Sequence, residues 1–189
     1  MRILIAGATG FIGRHLVARL GAAGHTIVCC VRDVRRARRM FLDQEFRACD
    51  FNRDVTPDDW LPRIAGVDAV INCAGILQWQ AMAAIHRDAP AALFDACARA
   101  RVRRVVQISA LGIGADIGTE YSQTKLEAER RLQALDLDWL QIRMRDLAAA
   151  AADGALPSLY HRYARIWFAL GWPAFAAVIV IFGLMVTRP

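Results

Sequence analysis

The sequence predicts an α/β chain: a doubly wound parallel sheet of about six strands, followed by one C-terminal transmembrane helix. Three observations predict it. Short apolar runs alternate with helical segments as far as Ile142, the pattern of a parallel sheet covered on both faces. A glycine-rich turn, Gly7-Ala8-Thr9-Gly10-Phe11-Ile12-Gly13, joins the first run to the first helix. Ile166 to Val186 is a stretch of 21 residues without one charge. As a helix it would be about 31 Å long, close to the ~30 Å thickness of a bilayer's hydrocarbon core.

The elements follow in order. Ile3–Ala6 is a short apolar strand, and residues 11–23 form a helix of mixed 3.6 period. Thr26–Val31 is a β-branched second strand bounded by Gly24, followed by a basic helix at about 34–41. Residues 45–49 form a weak third strand, and Pro57 opens a short helix because proline suits the first turn. Ala69–Asn72 continues Val67-Asp68 as the fourth strand. Residues 82–100 are Ala-rich and helical, with Pro90 a kink or break. Residues 104–109 form the fifth strand, 119–135 a long helix and 139–142 the sixth strand. Between Arg143 and Leu159 the pattern fails. Ala148–Ala152 is low in complexity, and Gly154 and Pro157 punctuate it. The expected organisation is a domain over residues 1–143, a linker over 144–160 and a membrane anchor over 161–189.

Composition narrows the function. The chain has 189 residues, 56% hydrophobic and 22% charged, which excludes a disordered chain. Of its 24 basic residues 23 are Arg, and Lys125 is the only lysine. A net charge of +6 carried by such an Arg bias is weak evidence for nucleic acid, and no recognition motif accompanies it. The cysteines at 29, 30, 49, 73 and 97 are odd in number and lack C-x-x-C pairs, which argues against disulfides and a metal site and for a reducing compartment. The opening apolar run is too short for a signal peptide. Around the charge-free segment, Trp167 and Trp172 suit the membrane interface, and Pro173 is tolerable in a membrane helix. Arg162 and Arg165 precede the segment and Arg188 follows, which places the N-terminal body in the cytoplasm.

The glycine spacing G-x-x-G-x-x-G between a strand and a helix makes the sheet Rossmann-type. Gly7, Gly10 and Gly13 permit the tight turn and let backbone approach a pyrophosphate. Thr9, Phe11 and Ile12 belong to the same cradle, where a helix N-terminus offers free N–H groups. The second strand ends at Val31-Arg32-Asp33. An acid there would hold the ribose hydroxyls of NAD, and an Arg would accept the 2′-phosphate of NADP. Arg32, with Arg35, Arg36, Arg38 and Arg39 behind it, favours NADP, with NAD the alternative. Asp50 and Asn72-Cys73-Ala74-Gly75 follow strands three and four, at the carboxyl edge where such a sheet binds its ligand. The catalytic candidates are Ser109, at the end of the fifth strand, and Tyr121 and Lys125, four apart at a helix start and so on one face. An ammonium beside a phenol lowers the phenol's pKa, which lets Tyr121 exchange a proton with a carbonyl or hydroxyl oxygen that Ser109 also hydrogen-bonds.

In this order, these residues resemble the short-chain dehydrogenase/reductase superfamily, most closely its atypical and extended, epimerase-like members. The resemblance rests on residues 7–13, Asp50, Asn72-Cys73-Ala74-Gly75, Ser109-Ala110-Leu111-Gly112 and Tyr121-Ser122-Gln123-Thr124-Lys125, and covers about residues 1–143. It implies Gly7, Gly10 and Gly13 at the cofactor pyrophosphate and Asp50 near the adenine. It also implies Asn72, Ala74 and Gly75 along the cofactor cleft, and Ser109, Tyr121 and Lys125 as the catalytic set, with Lys125 also holding the nicotinamide ribose. The Ser-Ala-Leu-Gly form is similar to the branch that includes the accessory subunit of respiratory complex I. Two departures stand out. Extended members often carry an Asn in the stretch matching Ile85-His86-Arg87-Asp88, and His86 stands there; it is left out of the mechanism. Family members continue into a substrate lobe, often opening with Arg-Pro. Here Met144 follows Arg143, 47 residues remain after Ile142, and 21 of these form the expected anchor. Tyr163 to Pro189 resembles the end of a small bacterial integral-membrane module, as though a reductase-like domain were fused to it.

The expectation is a membrane-tethered NAD(P)-dependent oxidoreductase acting on a carbonyl, hydroxyl or sugar-like substrate. The alternative is a non-catalytic, cofactor-binding sensor or assembly subunit at the membrane, which needs Gly7–Gly13 but not Tyr121. Either version leaves room for a partner chain or a second copy to complete the open side of the pocket.

Overall fold

The computed structural model describes residues 1–77, 81–109, 113 and 118–139, with 138 and 139 described as backbone alone. The strands are β1 (Arg2–Ala6), β2 (Thr26–Val31), β3 (Glu45–Ala48), β4 (Ala69–Asn72), β5 (Arg104–Gln107) and a two-residue β6 (Asp138–Trp139). All pair in parallel, in the order β3-β2-β1-β4-β5-β6. The chain builds outward from β1 through β2 to β3, then returns to β1's other side for β4, β5 and β6. The direction therefore reverses between β1 and β4. Such a reversal leaves a crevice at the carboxyl ends of the strands.

The central strands β1 and β2 are apolar from their second residue on, because both faces are covered. Leu4 and Ala6 of β1, with Val28 and Cys30 of β2, join one core cluster; Ile3 and Ile5, with Ile27 and Cys29, join the other. That split is the period-2 alternation of a strand, here with no solvent side. The first cluster takes in Trp60 of α3 (Pro57–Ile64), Phe94 of α4 (Ala89–Arg99) and Leu132 of α5 (Glu120–Gln133). The second takes in Val17 of α1 (Phe11–Ala22) and Ala37 of α2 (Val34–Met40). Trp60 is fully buried, meets Phe51 edge to face at 5.1 Å and donates its indole N–H to the Asp54 carbonyl at 2.8 Å. A buried Trp needs such a partner for its one polar atom.

Local signals set the helix ends. Pro57 stands at the start of α3, where the Asp59 carboxylate accepts from the Thr56 N–H and hydroxyl at 3.0 and 2.7 Å. These bonds hold the Asp59 carboxyl below its ordinary pKa. Pro90 does not break its helix. It lies at the start of α4, directly after a π-helical turn, Ala84–Asp88, in which the Ala89 N–H reaches back to the Ala84 carbonyl. Proline lacks the N–H that an α-turn would use, and the widened turn accommodates that loss.

Two strands end earlier than expected. β3 stops at Ala48 and β5 at Gln107, so Ser109 lies two residues past its strand. β6 is described only at Asp138–Trp139; the rest of the expected strand, residues 140–142, lies outside the described residues. The linker over 144–160 and the charge-free segment 166–186 lie outside them as well. Among the described residues no helix is long and apolar enough to cross a membrane.

Candidate functional site

The carboxyl ends of β1, β2 and β4 enclose a cleft of about 240 Å3. Its floor is the glycine turn. Gly7 has φ +76°, the left-handed region that favours glycine, and a Cβ there would lie 2.9 Å from the Ala74 nitrogen. The Gly7 carbonyl accepts the Gly10 N–H at 2.9 Å. A Cβ on Gly13 would lie 2.2 Å from that same carbonyl oxygen, so α1 can approach β1 only through glycine. Gly10 is the N-cap of α1 and offers no side-chain cap, and the first turn holds no acidic residue. The leading amides are thus left for an outside acceptor, with the helix dipole adding positive charge. A backbone cradle closed to a Cβ at Gly7 and Gly13, facing an uncapped helix, fits the pyrophosphate of a dinucleotide.

Of the residues expected at the cofactor, Gly7, Thr9, Gly10, Arg32, Asp50, Ala74 and Gly75 line the cleft. Phe11, Ile12, Gly13, Asn72 and Lys125 do not line it. Phe11 and Ile12 are exposed at the head of α1, and Gly13 is packed beneath the turn. Asn72 is fully buried and organises the loop instead: it accepts the Ala74 N–H at 3.1 Å and donates to the Gln107 side chain at 2.8 Å. Sequence reasoning missed Cys30, Cys49, Phe51 and Ile76 in the lining, because apolar residues at strand ends carry no chemical signature.

At the end of β2 the two candidate selectors divide their work. Asp33 is the N-cap of α2 and accepts the Arg36 N–H at 2.9 Å, while Arg32 lines the cleft. The preference of Asp for a helix N-cap was the signal for this. Arg32, Arg35, Arg36, Arg38 and Arg39 are exposed, and among the described residues no ion pair engages any of them. Asp50 turns its carboxylate toward its own loop, accepting from the Asn52 N–H at 3.1 Å. Two of the cleft thiols are poor nucleophiles: burial pushes Cys73 up to about 12, and contact with Cys49 together with burial raises Cys30 well above the usual thiol range.

The three catalytic candidates meet at the β5–α5 side. Lys125 is buried, donates its ammonium to the Ile108 carbonyl at 3.1 Å and lies 5.7 Å from the centre of the Tyr121 ring. Gln107 donates to that same carbonyl at 3.1 Å. A polar chain therefore runs from the Ala74 amide through Asn72 and Gln107 to Lys125. Two further features bear on these groups. Burial raises the Tyr121 pKa here, and the Lys125 ammonium is engaged with the Ile108 carbonyl. Ser109 does not present a free hydroxyl: it donates to the carboxylate of Glu129, a buried residue that sequence reasoning missed. His86, left aside at first, packs in this corner. Its Nε2 accepts the Ile76 N–H at 3.0 Å, and its ring meets Tyr121 edge-on at 5.1 Å. Burial and the charge of Lys125 push its pKa down to about 4, so it is neutral at pH 7.

Fold and cleft together define a dinucleotide-binding protein of the Rossmann class. A family model described as NAD(P)H-binding matches residues 7–156, and the chain belongs to that family. A second model, described as a predicted integral membrane protein, matches residues 132–189. Among curated relatives, the photosystem II assembly factor Ycf39 of Synechocystis sp. is 35% identical over 74 residues, 39% of this chain and 22% of that protein. The epimerase family protein SDR39U1 homolog of Arabidopsis thaliana is 36% identical over 76 residues, 40% of this chain and 21% of that protein. The matched stretches thus span about a fifth of each relative's length. The crystal structure of the oxidoreductase ylbE from Lactococcus lactis superposes with a TM-score of 0.62 at 25% identity, covering 74% of this chain and 66% of that one.

Replacing Gly10 with Asp puts a good helix cap, and a negative charge, where the pyrophosphate would sit. The Gly10→Asp variant is expected to melt within a few degrees of the parent and to bind NADPH at least about 100-fold more weakly, the scale of losing a charge-assisted contact and adding a repulsion. Titration calorimetry checks this; unchanged affinity removes the pyrophosphate site.

Proposed function

We propose that this protein is a membrane-tethered NAD(P)-dependent oxidoreductase, acting on a carbonyl, hydroxyl or sugar-like substrate. The observation that carries the reading is the polar chain linking the nucleotide loop at Ala74 to Lys125, beside Tyr121. The cofactor, when bound, supplies or accepts hydride. Tyr121 then gives a proton to the substrate oxygen or takes one from it. Ser109 hydrogen-bonds the same oxygen after exchanging its bond to Glu129. Lys125 favours the phenolate once its ammonium turns from Ile108 toward Tyr121 and the nicotinamide ribose. NADP is the preferred cofactor, supported by Arg32 on the cleft and by the engagement of Asp33 as a helix cap. The anchor is the charge-free segment 166–186, joined to a domain over 1–143 by the linker 144–160, with the body in the cytoplasm. The family match over 132–189 supports a membrane location.

A second reading is a non-catalytic, cofactor-binding assembly or sensor subunit. It is favoured by the engagement of both Ser109 and Lys125 within the protein, and by likeness to a relative named as an assembly factor.

Three measurements test these readings. NADPH is expected to bind more tightly than NADH, with the order reversed in Arg32→Glu; equal binding of both by the parent removes the NADP preference. With a substrate found by screening, Tyr121→Phe is expected to lower kcat at least about 100-fold while leaving cofactor affinity unchanged. Retained turnover removes Tyr121 as proton donor, and cofactor binding without turnover on any substrate favours the second reading. On carbonate extraction the chain is expected to stay with the membrane pellet; release into the supernatant removes the spanning anchor.

A further inference from the structure

The buried face of α5 carries two opposite charges one turn apart, Lys125 at 5% exposure and Glu129 at 3%. They grip consecutive residues of the segment after β5. Lys125 donates to the Ile108 carbonyl at 3.1 Å, and Glu129 accepts the Ser109 hydroxyl. Burying an ammonium or a carboxylate alone is costly, and each lowers the other's cost. The groups facing Lys125 are few. The Tyr121 ring lies on its own helix, neutral His86 comes from the π-helical turn, Ile108 offers a carbonyl and Glu129 supplies the negative charge. Burial works against the ammonium and Glu129 works for it.

We propose that Glu129 is a positioning residue of the site: with Lys125 it clamps Ile108 and Ser109 onto α5, and its buried carboxylate is the counter-charge of the buried Lys125 ammonium. The proposal rests on the reading of Ser109, Tyr121 and Lys125 as the working groups. It adds the residue that sets where the serine hydroxyl rests and that supplies the lysine's counter-charge.

Lys125 is the only lysine, so full-length protein made with 13Cε-labelled lysine gives one side-chain signal to titrate. Glu129→Gln keeps the shape and removes the charge, and the Lys125 midpoint is expected to fall by about one pH unit or more, the scale of losing one close counter-charge. Glu129→Asp keeps the charge and is expected to restore most of that shift. An unchanged midpoint in folded Glu129→Gln overturns the proposal. If that variant does not fold, the parent decides: its Lys125 signal is expected to show a second, smaller step at acid pH as Glu129 takes up a proton, and a flat acid limb overturns the proposal. None of these readouts needs cofactor or turnover. A protein that binds neither NADPH nor NADH yet shows both Lys125 effects refutes the oxidoreductase reading and leaves the clamp standing.

Discussion

The site depends on one crowded oxygen, the carbonyl of Gly7. It accepts the Gly10 N–H, and a Cβ on Gly13 would overlap it. From this contact the helix α1 takes its position against β1, and the amides at its head take their direction. The same residue faces the loop after β4, where a Cβ on Gly7 would collide with Ala74. The two chain segments that meet at the sheet's reversal are therefore in backbone contact, and the cleft is walled by peptide groups. Peptide groups suit a phosphate because they give several N–H donors with no side-chain entropy to lose.

Away from the glycines, the carboxyl edge is tied together by polar side chains inside the protein. Asn72 and Gln107 are opposite each other on paired strands, so the register of β4 with β5 puts their amides in reach. Buried amides of this kind cost stability unless every donor finds a partner. Here each amide nitrogen has a partner, and the chain of bonds ends on the carbonyl that Lys125 also uses. The nucleotide loop and the α5 groups are thus parts of one rigid polar assembly, in which displacing one member leaves another unpaired.

How much of this was legible follows from the range of each signal. The central strands β1 and β2 could be read because burial on both faces writes an unbroken apolar run into a few adjacent residues. The glycine turn could be read because backbone crowding leaves glycine as the only solution at Gly7 and Gly13. Asp33 carried a short-range signal, its position just before a helix, yet its cap role was hidden behind the selector role that the same position invites. Glu129 was illegible because it lies 20 residues from Ser109, and only the packing of α5 turns it inward. The π-helical turn was illegible for a related reason: Pro90 signals trouble for a helix but not how neighbouring turns absorb it.

The arginines of α2 and the preceding turn have a kinetic consequence. Five exposed guanidinium groups, the first of them on the cleft, stand along eight residues and form no ion pair among the described residues. Their combined field extends about 8 Å into solvent at physiological ionic strength and decays faster as salt rises. A polyanion diffusing past is drawn toward that edge before any specific contact forms, so capture speeds up in dilute buffer and slows in brine. Encounter is thus governed by a surface that the bound ligand need scarcely touch.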